Sequence, residues 1–151
     1  MPTIEKSIEV DVPVQTAYNQ WTQFEEFPKF MNGVKEVKQL DSTHLRWKAQ
    51  IAGKDKAWDA VITEQRPDDR IAWKSIDGAN NAGVVTFHRL SDQKSKVMLQ
   101  MDYEPEGALE TIGDSVGAVS LRVAGDLERF KDFIESRGRE SGAWRGEVKR
   151  P

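Results

Sequence analysis

Residues 109–134 read LETIGDSVGAVSLRVAGDLERFKDFI, and this stretch decides the fold class. Its apolar residues recur at steps of three and four, namely Leu109, Ile112, Val116, Val119, Val123, Leu127, Phe130 and Ile134. That spacing places them on one face of an α-helix of about eight turns. Gly138 follows as a residue suited to end the helix. The sequence therefore predicts a long C-terminal helix with one buried face.

The segment before this helix, residues 34–103, is typical of an antiparallel sheet. Turn-forming residues cluster at 52–55, 66–69, 77–80 and 91–93. Two of the intervening segments alternate cleanly between apolar and polar residues, with apolar positions at Leu45, Trp47, Ala49 and Ile51 and at Val97, Leu99, Met101 and Tyr103. A sheet with one polar face needs an apolar cover on the other face. The long helix supplies that cover.

The first 33 residues add a strand and two short helices. Apolar residues alternate from Ile4 to Val12, Pro13 suits a first helical position, and Pro28 interrupts a second helical spacing that Gly33 ends. The prediction is an α+β fold, in which a curved antiparallel sheet of about seven strands wraps the long helix. Residues 1–138 form one domain, and residues 139–151 form a polar tail that we expect to be loose.

Composition narrows the function classes. The chain has 151 residues, a length that suits one domain. Its net charge of −3 provides no overall electrostatic attraction for a polyanion, so nucleic acid is not expected as a partner. It has no Cys, which excludes disulfides and a cysteine nucleophile. No metal motif occurs and no cofactor is predicted. The sequence offers no apolar run of the ~18 residues a membrane span needs and no signal peptide, so a cytoplasmic protein is expected.

Four segments carry a family resemblance: Val12-Pro13-Val14, Trp21 with residues 24–31 (FEEFPKFM), residues 70–73 (RIAW) and residues 83–90 (GVVTFHRL). They resemble the START-like, or SRPBCC, superfamily over nearly all of residues 3–138. In particular they are similar to the polyketide cyclase/dehydrase group, which includes coenzyme-Q-binding START-like proteins. The resemblance implies a helix-grip fold with a hydrophobic cavity between sheet and long helix, opening near the two short helices.

This leads to a hypothesis for the ligand site, namely binding or transport of a small hydrophobic molecule that is aromatic, polyketide, lipid or quinone-like. The predicted sheet wall is Trp47, Trp58, Trp73, Phe87 and Tyr103; the helix wall is Leu109, Ile112, Val116 and Val119; the pocket lid is Phe27, Phe30 and Met31. The alternative is that these aromatic residues fill a solid core, since each buries roughly 150–250 Å². Phe27, Phe30 and Met31 would then form a fixed plug.

The sequence gives no confident catalytic residue. Asp59, Ser75 and Tyr103 are weak candidates, because each could face a cavity and take part in a cyclase- or dehydratase-type reaction. Asp59 lies in a segment whose alternation is ambiguous, so either face is open to it, and an inward position would raise its pKa. The cleanly alternating strands place their polar residues outward, which favours binding over catalysis.

A third hypothesis is an interaction or regulatory protein without a small ligand. The tail is weakly basic, and Trp144 could anchor on the domain or on a partner. Alternation of basic and aromatic residues, as RNA stacking needs, is absent from the sequence. A monomer and a homodimer both remain open.

Overall fold

A computed structural model describes residues 3–51, 53–78, 81–103 and 112–149, with residues 51, 103 and 112–119 described by their backbone alone. The strands are β1 (Thr3–Val10), β2 (Val34–Gln39), β3 (His44–Ile51), β4 (Lys54–Arg66), β5 (Arg70–Gly78), β6 (Asn81–Ser91) and β7 (Lys94–Tyr103). The helices are α1 (Val14–Trp21), a 3₁₀ helix (Phe24–Lys29) and α2 (Ile112–Arg137). This order of elements confirms the predicted α+β fold.

The seven strands form one antiparallel sheet in the order β1-β7-β6-β5-β4-β3-β2. Strands β2 to β7 follow one another as a meander, as the turn spacing predicted. The first strand joins the far edge by pairing with β7. Strand β4 carries register shifts between Asp59 and Ala60 and between Ile62 and Glu64, and such bulges bend and twist a strand. The curved sheet and the long helix confirm the predicted helix-grip fold.

The core lies between the concave face of the sheet and the second half of α2. Phe130 and Ile134 of the predicted apolar stripe are fully buried. Phe130 packs edge-on against Trp21 and Phe30, with ring centroids 5.1 and 5.2 Å apart. Helix α2 ends where predicted, because Gly138 adopts a φ of 73° and its N–H donates to the Ile134 carbonyl at 2.9 Å.

The short helices differ in detail from the prediction. Pro13 precedes α1 rather than opening it, since its ψ of 150° is extended. The second helix takes the 3₁₀ form over six residues and includes Pro28 next to its last residue. Both helices lie against the sheet and bring Trp21, Phe24 and Phe27 into the core.

The polar tail is seated on the domain, whereas the sequence predicted a loose one. Strand β4 extends past the end of β3, and Gln65 in this overhang exchanges two backbone hydrogen bonds with Val148, at 2.8 and 2.9 Å. Arg145 pairs with Asp68 at 2.7 Å, and Thr22 accepts a bond from the Trp144 N–H at 3.0 Å. The tail therefore completes a sheet edge that β3 leaves open, a contact between distant segments that local patterns do not reveal.

A chain that ends at Gly138 is expected to lose about 1–2 kcal/mol of unfolding free energy. The reason is that the backbone bonds to Gln65 and the Arg145–Asp68 pair disappear, while part of their energy is offset by the restored freedom of the tail. Urea unfolding measures the difference, with a chain ending at Lys149 as the control that keeps these contacts. Equal stability of the two chains would show that the docked tail adds nothing.

Candidate ligand cavity

A cavity of about 140 Å³ lies between the sheet, the 3₁₀ helix and α2. Every strand from β2 to β7 contributes a side chain to its wall, together with Trp21 of α1 and with Arg122, Val123, Asp126 and Leu127 of α2. Most of the described lining residues are apolar or aromatic, and the polar ones are Asn81, Arg122 and Asp126. The arrangement is that of a small apolar chamber with a few polar groups, which is the usual character of a ligand pocket.

Three tryptophans form the aromatic part of the wall. Trp47 and Trp58 are direct cross-strand partners on β3 and β4, and their rings stack with centroids 5.4 Å apart and an angle of 10°. Their buried indole N–H groups find no hydrogen-bond partner within the described part of the chain. Trp73 differs, because its N–H donates to the Asn81 side-chain oxygen at 2.9 Å. The wall therefore offers broad flat surfaces with one fixed polar contact beside them.

The structure brings most of the predicted ligand residues that it describes to this cavity. Trp47, Trp58 and Trp73 line it, as do Phe27 and Met31 of the predicted lid. Tyr103, Ile112, Val116 and Val119 have no described side chains, and Leu109 lies outside the described residues.

Phe87 and Phe30 do not appear in the described lining. Phe87 lies deeper in the core, with its ring centroid 5.2 Å from that of Tyr18. Phe30 lies between Trp21, Phe130 and Phe133. The sequence pattern correctly predicted that both residues are buried. Whether a buried residue lines the cavity or lies in the solid core depends on how far α1 and α2 extend over the sheet, which the pattern does not contain.

Of the three weak catalytic candidates, Asp59 and Ser75 do not line the chamber, and the side chain of Tyr103 is not described. Asp59 is the cross-strand partner of Arg46 on the convex face, where the Arg46 Nε donates to its Oδ1 at 3.0 Å. Asp59 therefore takes the outward of the two orientations that the sequence left open. The Ser75 hydroxyl accepts the Asn81 backbone N–H at 3.1 Å and is not among the described lining residues. The Tyr103 side chain is outside the described set.

Sequence reasoning missed the acidic residue in the cavity wall. Asp126 is 9% exposed and its Oδ1 accepts bonds from the Asn32 N–H at 3.0 Å and from Arg129 at 2.6 Å. Burial raises the pKa of its carboxyl from the ordinary 3.8 to about 6, while the Arg129 hydrogen bond and charge offset part of the shift. One feature of the sequence could have pointed to Asp126, namely its position directly before Leu127 of the apolar stripe, which places it at the edge of the buried face of α2.

Side chains of α2 also fasten the segment that follows the 3₁₀ helix. Arg122 donates to the carbonyl oxygens of Asn32, at 3.0 Å, and Gln50, and Arg129 donates to that of Phe30 at 3.0 Å. Gly33 completes this contact, because its φ is 85° and a Cβ there would collide with the Arg122 guanidinium. The cavity rim at residues 30–33 is therefore tied to α2.

Comparison with known proteins identifies the family. Residues 10–132 match the family described as polyketide cyclase / dehydrase and lipid transport. The chain belongs to this family. A relative that is 56% identical over 149 residues, covering 98% of this chain and 99% of its own length, is an uncharacterized 17.2 kDa protein of the melC2-rnhH intergenic region of Streptomyces lincolnensis.

Solved structures share the family fold at low identity. The Zhui aromatase/cyclase from a Streptomyces species has a TM-score of 0.78 and 15% identity, covering 95% of this chain and 99% of its own. A START superfamily protein from Mycobacterium smegmatis has a TM-score of 0.71 and 16% identity, covering 89% and 96%. These likenesses confirm the predicted fold.

Among residues 3–51, 53–78, 81–103 and 112–149, none of the helices combines the length and the apolar composition of a membrane span. The same residues contain no group of three or more His, Asp or Glu side chains arranged to hold a metal ion.

Proposed function

We propose that this chain binds or carries a small hydrophobic molecule in the cavity between its sheet and α2. The observation that carries the proposal is the apolar chamber itself, with the stacked Trp47–Trp58 pair and Trp73 in its wall. Apolar surface removed from water contributes roughly 25 cal/mol per Å², so a ligand seated here gains most of its affinity from burial. The family match is consistent with such a site.

The size of the chamber restricts the ligand. An engineered cavity of about 150 Å³ in another protein holds benzene, so a chamber of about 140 Å³ accommodates a single ring as it stands. A larger aromatic, polyketide, lipid or quinone-like ligand needs more room, which a displacement of Phe27 with its 3₁₀ helix would supply, so this helix takes the role of a lid. The ligand class we favour is therefore a ring-bearing apolar molecule.

The direct test is native mass spectrometry of the freshly purified protein, followed by identification of any molecule released on unfolding. Calorimetric titration with p-xylene supplies a defined probe for the empty chamber. We expect Ala49→Phe to weaken p-xylene binding by at least tenfold, because Ala49 is a buried wall residue and the added ring fills the space. Ala57→Phe is the matched control, since Ala57 is exposed on the neighbouring strand.

Either of two results would contradict the proposal. One is that p-xylene fails to bind the folded wild-type protein and no molecule is released from it. The other is that Ala49→Phe, shown to be folded by its thermal transition, binds p-xylene as well as Ala57→Phe does.

A cyclase- or dehydratase-type enzyme is the second candidate, and one observation favours it. Asp126 lines the chamber with a pKa raised to about 6, and a group that titrates near neutral pH suits proton transfer. Incubation with a short poly-β-ketone and mass detection of a product lighter by one water tests this candidate. Turnover that Asp126→Asn abolishes would support an enzyme, and turnover unchanged in that variant would remove Asp126 from the chemistry.

A further inference from the structure

We propose that the Asp126 carboxylate accepts a hydrogen bond from a hydroxyl group of the ligand, so that the cavity selects ring-bearing alcohols or phenols over hydrocarbons of the same shape. This inference rests on the proposed binding function and adds the polar half of the ligand to it. Asp59, Ser75 and Tyr103, the polar candidates that the sequence suggested, play no part in it.

The geometry of Asp126 leaves one oxygen for a ligand. The Asn32 N–H and the Arg129 guanidinium both bind Oδ1. Among the described residues, no side chain or backbone group donates a hydrogen bond to Oδ2, although the residue forms part of the cavity wall. A carboxylate has about four acceptor sites on its two oxygens, so half of this group's capacity is unused.

The neighbouring charges hold the carboxylate in place and do not compete for Oδ2. Arg129 lies one turn further along α2 and also binds the Phe30 carbonyl, which fixes its position. Arg122 lies one turn earlier and donates to the backbone oxygens of Asn32 and Gln50. A hydroxyl donor therefore meets a rigid acceptor, and an O–H to carboxylate bond is among the stronger hydrogen bonds in proteins.

Apart from the ion pair with Arg129, the surroundings of Asp126 do not require an acid at this position. The wall on either side consists of Val123 and Leu127, and the Asn32 N–H could donate to an amide oxygen as well as to a carboxylate. Desolvation opposes the charged form, so the residue weakens the fold when ionised. Residues that lower the stability of the fold are expected at functional sites. A ligand hydroxyl would give Oδ2 of this carboxylate a donor.

A matched pair of probes tests the inference, because p-cresol and p-xylene differ only by a hydroxyl in place of a methyl group. Calorimetric titration of both compounds gives the ratio of the p-cresol affinity to the p-xylene affinity for each protein. Comparing this ratio between a variant and wild type cancels the effect of the different hydration of the two compounds. We expect the preference for p-cresol to fall about tenfold in Asp126→Asn and in Asp126→Ala relative to wild type. Glu128→Gln removes one charge from an exposed position of the same helix and is expected to keep the ratio.

The outcomes separate this inference from the proposed function. If both probes bind and the ratio stays within twofold of wild type in both folded Asp126 variants, the inference is wrong and the binding function stands. If neither probe binds wild type, the inference is overturned, and the binding function falls with it when native mass spectrometry also finds no released molecule. A fall in the ratio that Glu128→Gln reproduces would also overturn the inference, since general charge would then explain it.

Discussion

Replacing Phe130 by alanine is expected to lower the free energy of unfolding by about 3–5 kcal/mol. Phe130 is fully buried and lies where α2, α1 and the rim segment meet, with ring centroids 5.1 Å from Trp21 and 5.2 Å from Phe30. The loss has two parts, the transfer free energy of the ring and the cost of the cavity that its removal leaves. The cavity remains because the rigid neighbours Trp21 and Phe30 cannot close over it. Urea or thermal unfolding measures the change.

The matched control for this prediction is Leu121→Ala. Leu121 lies on the same helix, is also a large apolar residue and is 79% exposed, so its removal is expected to change stability by less than about 0.5 kcal/mol. A loss below about 1 kcal/mol for Phe130→Ala would contradict the packing described here. It would mean that α2 contributes little to the core at this position.

Replacing Asp126 by asparagine is expected to raise the unfolding free energy at pH 7.5 by about 2–3 kcal/mol, because one unit of pKa difference corresponds to about 1.4 kcal/mol. The pKa of Asp126 lies near 6 in the folded protein and near 3.8 in the unfolded chain. Between these two values the folded state binds more protons, so its stability falls as the pH rises through this window. Asparagine keeps an oxygen for the Asn32 N–H and carries no charge, which removes that loss.

The pH dependence distinguishes this effect from a change in packing. Wild-type stability should decline relative to Asp126→Asn from about pH 4 to about pH 6, and the two proteins should differ little below pH 4. Asp132→Asn, an exposed position on the same helix, serves as the control. A constant difference between wild type and Asp126→Asn across the pH range would show that Asp126 does not titrate in this window.

The stability prediction and the ligand-selectivity proposal for Asp126 have one physical origin. The same desolvation that weakens the fold also strengthens a hydrogen bond from a ligand, because water no longer competes for the carboxylate. We therefore expect substitutions that stabilise this position to reduce selectivity for hydroxylated ligands. Stability and ligand selectivity, measured on the same variants, report on the same group.

Much of the fold follows from local patterns. The alternation of Leu45, Trp47 and Ala49 predicts a strand with a buried face, and the three- and four-residue steps from Val123 to Ile134 predict the buried face of α2. Both patterns arise from backbone geometry over a few residues, so the amino-acid sequence contains them in full. The turn residues between the strands are equally local, and the strands end where those turns begin.

The sequence by itself thus determined the order of elements, the antiparallel meander and the covering helix, whereas the tertiary structure decided the site. Bulges in β4 shift its alternation after Asp59 and again after Ile62, so the facing of Asp59 depends on its pairing with Arg46. Asp126 and Asp132 look alike in sequence. Only the approach of Asn32 and the cavity buries the first, because burial depends on segments nearly a hundred residues apart.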